Sequence, residues 1–283
     1  MFKTRLISGI ALIIILGLLL YFGGTVLLCG LAAVSLIGVY ELNKIVGCEK
    51  NALGLVSYIF TIAYYVIVYF ARDSRADVIP AAFFVAYLML LMIIYVVTFP
   101  KLNSKQVTMV FFGLIYVSVM LSYIFRIRML DNGFLVWLVF LASWGCDTCA
   151  YAVGVLIGKH KMSPKLSPKK SIEGAVGGVV GSALLGVIFA LVFKSHLTQV
   201  LPNPVLGCAV ICVVGSLISM IGDLAASAIK RNNDIKDYGK LIPGHGGILD
   251  RFDSVIFVAP GIFYTILFLM NGLDVFKLFN LHL

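Results

Sequence analysis

The sequence predicts an all-α, polytopic membrane protein with about nine transmembrane helices, and three observations carry that prediction. Of its 283 residues, 61% are hydrophobic and only 12% are charged, whereas a soluble domain carries about 25% charged residues. The mean hydropathy is +1.05. The apolar runs are also long. Leu6 to Gly38 holds no charged residue and is interrupted only by Gly23-Gly24. A bilayer core takes roughly 20 apolar residues per helix, so that run holds two spans.

In chain order the candidate spans are about 6–22, 24–40, 53–70, 78–98, 107–124, 133–157, 175–193, 204–222 and 254–272. The first follows Lys3 and Arg5, like the charged start of a signal peptide, but no small-residue cleavage site precedes the second span. It is read as a retained helix. With the N-terminus inside, sixteen basic residues fall in inside loops. Six fall outside: Arg72, Arg75, Arg126, Arg128, Lys194 and Lys277. That asymmetry predicts a multi-pass cell-membrane protein with its N-terminus and polar site on the cytoplasmic side. It also accounts for the net charge of +9 without a nucleic-acid partner. The six cysteines lack the clustered ligands of a zinc site and read as small, reduced packing residues. Residues 1–130 read as N-terminal helices for packing and lipid contact. Residues 131–283 read as the C-terminal region that carries the chemistry.

Two segments concentrate that chemistry. In the first, Asp147 lies within a span, where a carboxylate is costly and faces a polar cavity or a partner. Asp147, Tyr151, Gly154 and Gly158 recur at offsets that share one helical face. The stretch from Gly158 to Gly174 then contains two Ser-Pro pairs, which disfavour helix. It also carries Lys165, Lys169 and Lys170 among Ser163, Ser167 and Ser171. Ammonium, hydroxyl and backbone N–H groups together suit a polyphosphate. By charge alone the same loop also suits the positive-inside rule or anionic lipid. Gly174, Gly177, Gly178 and Gly181 permit close helix contact after it.

The second segment begins with Asp223, Ser227 and Lys230 on one face if the helix continues. Arg231, Lys236 and Asp237 follow, then Pro243-Gly-His245-Gly-Gly247, Asp250, Arg251 and Asp253. The glycines let backbone approach a ligand closely. Carboxylates beside lysines and arginines suit a metal–phosphate site, because magnesium takes one or two carboxylates together with phosphate oxygens and water. Membrane-depth acids such as Asp147 and Asp223 also suit an ion-coupled transporter.

Ser227-x-x-Lys-Arg231, four residues, Lys236-Asp-x-Gly239, then Pro243-x-His-Gly-Gly247, two residues, and Asp250-Arg-x-Asp253 together resemble the signature of phosphatidate cytidylyltransferases. Asp147-Thr-x-Ala-Tyr151 and Ser167-Pro-Lys-Lys-Ser-x-Glu-Gly174 resemble the family's second motif. These matches cover roughly the C-terminal half. Ala226 departs from the acid that many members carry there, and Ser171 from their threonine. The resemblance implies transfer of CMP from CTP to phosphatidate in the membrane, with magnesium as cofactor. CTP, phosphatidate and membrane lipids become the expected partners, and a second copy of the chain stays open as one. The roles implied are catalytic for Asp223, Asp250, Lys230, Arg231, His245 and Arg251. Ser167, Lys169, Lys170 and Glu173 would bind CTP, and Asp223, Asp250 and Asp147 would hold metal. Both segments would then serve one site.

Overall fold

The computed structural model describes the backbone of residues 2–71, 81–131 and 133–271, and the side chains of these from residue 7 to 270. Arg72, Arg75 and Lys277, used in the orientation argument, lie outside the described residues, as do the side chains of Lys3 and Arg5. So does the start of the fourth predicted span.

Nine long helices follow one another among the described residues: α1 (Phe2–Phe22), α2 (Gly24–Ile45), α3 (Ala52–Ala71), α4 (Ala81–Thr98), α5 (Ser104–Leu130), α6 (Trp137–Ile157), α7 (Ile172–Val192), α8 (Pro204–Asn232) and α9 (Leu249–Asn271). Eight are long and apolar enough to cross a membrane, and α1 adds the shorter apolar stretch Ile7–Phe22. The fold is therefore a polytopic helical membrane protein.

Local chemistry sets the ends. Gly23 and Gly24 both take positive φ, 58° and 48°, and separate α1 from α2. Asn103 and Gln106 form a reciprocal capping box at the start of α5. Asn203 caps α8, with Pro204 at its first turn. Hydropathy located the spans but not these ends. The eighth span, expected to stop at 222, continues as helix to Asn232. The ninth begins at Leu249 rather than 254. Both extensions are polar turns that leave the apolar window without breaking the helix.

The stretch expected to be a loop after α6 is an antiparallel hairpin, β1 (Lys161–Ser163) with β2 (Ser167–Ser171), pairing Lys161 with Ser171 and Ser163 with Ser167. Two strands each have a free edge, so Pro168 is tolerated.

Two compact units are formed. One comprises Met1–Phe125 with Asp237–Arg251, the other Arg126–Lys236 with Phe252–Leu283. In the first, hydroxyls tie α2, α3 and α5 together: Ser35 bonds Tyr65 at 2.7 Å and Tyr64 bonds Ser122 at 2.8 Å. In the second, α6, α7 and α8 pack through small residues. A Cβ added at Gly178 would stand 2.9 Å from both Ala150 Cβ and Cys146 Sγ, and one at Gly186 would stand 2.7 Å from Cys212 Sγ. Without a hydrophobic drive between helices in lipid, such close approach is what dispersion packing requires. Cys146, Cys208 and Cys212 are buried and free, as small packing residues should be.

Both α5 and α6 widen into a π segment, at Leu114–Val119 and Leu141–Gly145. Carbonyls loosened in this way need other donors inside a bilayer. Tyr65 donates to Ser118 O at 3.2 Å, and Ser182 donates to Leu141 O at 3.2 Å.

Candidate active site

In the second unit a cavity of about 640 Å³ lies among α6, the hairpin, α7 and α8. Its size is that of a small-molecule site. Asp147, Tyr151 and Gly154 line it from α6, three of the four residues expected to share one face; Gly158, past the end of the helix, is not among the lining residues. The π segment ends at Gly145, two residues before Asp147, so the helix is re-phased just ahead of the acid. Lys169 and Lys170 reach the cavity from β2 and Asp223 from α8. Lys161 of β1 also lines it. No motif in the chain signals Lys161; the pairing of Lys161 with Ser171 in the hairpin sets it beside the same cavity.

The Lys170 ammonium is ion-paired with Asp223 Oδ2, both side chains being about one-quarter exposed, at 27% and 23%. Burial pulls the Lys170 pKa down, but the charge of Asp223 and its hydrogen bond push it up. Asp147 and Asp253 add to that push, and the net shift is upward from the ordinary 10.5. Lys170 is therefore a permanent cation held between acids from α6, α8 and α9. Asp253 also lies within electrostatic reach of Lys230. A Cβ at Gly222 would stand 2.8 Å from Phe257 Cβ, so its absence lets α9 lie close to α8 beside Asp223.

Ser171 holds the α6–α7 junction. Its hydroxyl caps α7 by accepting from Gly174 N at 3.1 Å. Side chains at Gly154 or Gly174 would press on that oxygen, at 3.1 and 2.9 Å. Glu173 closes the hairpin: its carboxylate accepts from Lys159 N at 3.1 Å and His160 N at 3.2 Å, and meets His160 Nδ1 at 2.6 Å. Neither Glu173 nor Ser167 is among the residues that line the cavity. Arg231 is exposed in the last turn of α8.

Asp250, His245 and Arg251 belong to the first unit. The glycine-rich turn there takes positive φ at Gly244 and Gly246, 78° and 87°, and closes through Ile242 N donating to Gly246 O. Asp250 is buried. Its Oδ2 accepts from Tyr238 N at 2.8 Å and Gly247 N at 2.9 Å. His245 Nδ1 lies 2.8 Å from Ser8 Oγ, and Ser8 also donates to Pro243 O. Arg251 is half-buried at the start of α9. Glu41 of α2 also reaches this turn, a contact that no motif in the chain signals.

Among the described residues no group of three or more His, Cys, Asp or Glu side chains is disposed to hold a metal. Asp147 and Asp223 do offer hard carboxylate oxygens at one cavity. That suffices for magnesium when phosphate oxygens and water complete its shell.

A family model described as the cytidylyltransferase family matches residues 3–269. The phosphatidate cytidylyltransferase of Bacillus subtilis (strain 168) is 32% identical over 275 residues, covering 93% of this chain and 97% of that protein. That of Staphylococcus haemolyticus is 30% identical, covering 91% and 96%. That of Rickettsia prowazekii is 30% identical over 60% of this chain and 72% of its own length.

Proposed function

The chain belongs to the cytidylyltransferase family, and from that membership we propose that it is a phosphatidate cytidylyltransferase, working through the cavity of the second unit. The phosphate monoester of phosphatidate attacks the α-phosphorus of CTP. One P–O bond forms and the bond to the β-phosphate breaks. Pyrophosphate leaves with the electron pair, and CDP-diacylglycerol remains in the membrane. The attacking oxygen is already anionic, so no protein nucleophile is needed. The enzyme supplies alignment and charge stabilisation.

The observation that carries this reading is the cavity's charge pattern, two acids facing three lysines. Lys161 and Lys169 stand at the exposed side, where they neutralise the CTP phosphates. Lys170, fixed by Asp223, holds its charge where the transferring phosphorus gathers negative density. Asp147 and Asp223 are the residues that would hold magnesium. When bound, that ion polarises a phosphate oxygen and screens the approach of two anions. Glu173 and Ser171 shape the hairpin that presents the lysines. His245, Arg251, Lys230 and Arg231 are assigned to the phosphates of the same reaction, and Asp250 is assigned to metal binding. The lysine-rich hairpin is assigned to the cytoplasmic face, where CTP is available.

The test is purified protein with labelled CTP and phosphatidate, with magnesium or with a chelator. CDP-diacylglycerol and pyrophosphate should form in equal amounts, and chelation should abolish both. CTP left intact in the complete mixture would refute the assignment; undiminished product under chelation would refute the metal.

A further inference from the structure

Glu41 lies in α2, one turn before the helix ends, with only 4% of its surface exposed. A carboxylate removed from water is costly unless donors replace its hydration. Here the donors are backbone groups of the glycine-rich segment. Glu41 Oε1 accepts from Ile248 N at 3.0 Å, and Oε2 accepts from Leu249 N at 2.9 Å. These amides open α9, where N–H groups lack helical partners and a negative charge is favoured.

Two glycines make room for this contact. A Cβ at Gly239 or at Gly247 would collide with Glu41 Oε1. Neither residue has positive φ, so close approach to Glu41, rather than backbone conformation, is what a side chain would disturb there. Gly247 also donates its N–H to Asp250 Oδ2. The same residue is thus fixed on one side by Asp250 and bounded on the other by Glu41. Tyr238, next to Gly239, donates to Asp250 as well. Both arms of the segment are therefore held by a pair of carboxylates, one from α9 and one from α2.

We infer that Glu41 is a positioning residue, which sets the turn carrying His245 and the orientation of Asp250 without touching substrate. The inference rests on the reading that this segment serves the cytidylyl transfer. Misplacement of catalytic groups by about 1 Å can cost about 100-fold in rate.

The experiment compares Glu41→Gln and Gly239→Ala with wild type in detergent. Steady-state kinetics would be accompanied by hydrogen exchange of the 238–249 amides. The glutamine substitution keeps the size of the side chain but presents an NH₂ to one of the two amides. The alanine substitution leaves the Glu41 charge in place but displaces it. Both variants should lose about 100-fold in kcat with KM for CTP little changed, and exchange should rise at 248–249 while α7 stays protected. Should Glu41→Gln fail to fold, Gly239→Ala carries the same prediction. Wild-type kcat in a folded variant, or lost kcat with unchanged exchange at 248–249, would overturn the inference. His245→Ala and Asp250→Asn run in parallel: wild-type kcat in those would instead refute the assignment of the segment to the reaction.

Discussion

Lys170 is held by opposing forces, since burial disfavours its charge while Asp223, Asp147 and Asp253 favour it. The acids win, and the folded pKa lies above the ordinary 10.5. A raised lysine pKa contributes stability that is complete below the unfolded value and is lost as pH rises through the folded one. The difference in thermal stability between wild type and Lys170→Met should therefore narrow as pH rises above 10.5; a difference that stays unchanged through that range would contradict the pairing. Turnover of Lys170→Met should fall by about 100-fold or more, as when one donor to a developing anion is removed. That Asp223 and Lys170 belong to a polar cluster was legible because charge in so apolar a chain stands out. The work of Glu41 and Ser8 was not, because a single acid or serine in an apolar helix carries no spacing pattern, and their partners lie more than 200 residues away.

Among the elements, α6 and α7 depend on a glycine and small-residue seam. Gly178→Val places two methyl groups against Ala150 and Cys146, whose atoms already lie 2.9 Å from an added Cβ. Overpacking of this kind costs about 1–3 kcal/mol. It should lower the unfolding midpoint in detergent and, by parting the helices that flank the cavity, lower turnover with it; an unchanged midpoint would contradict the seam. All nine helices were readable from hydropathy, because a bilayer dictates both their length and their composition. Two kinds of element were not. The hairpin at 161–171 lacks alternating hydrophobicity, since its side chains are exposed or half-buried except at Ser171. The π segments leave no trace in composition, and their loosened carbonyls are answered by Tyr65 and Ser182 from other helices.

At the scale of the whole molecule, hydrophobic helices carry a small amount of polar chemistry. The orientation assigned to the chain predicts that a cysteine placed at Lys165, in a background lacking Cys29, is modified by an impermeant thiol reagent from the cytoplasmic side only. Labelling from the opposite side would invert the assignment. The central claim is that cytidylyl transfer occurs at the cavity where Asp223 meets Lys170. Asp223→Asn keeps the size of the side chain and removes its charge, so turnover of labelled CTP and phosphatidate by this variant tests the claim most directly. CDP-diacylglycerol formation should drop by about 100-fold or more while the variant stays folded in detergent, and full wild-type turnover would contradict the claim.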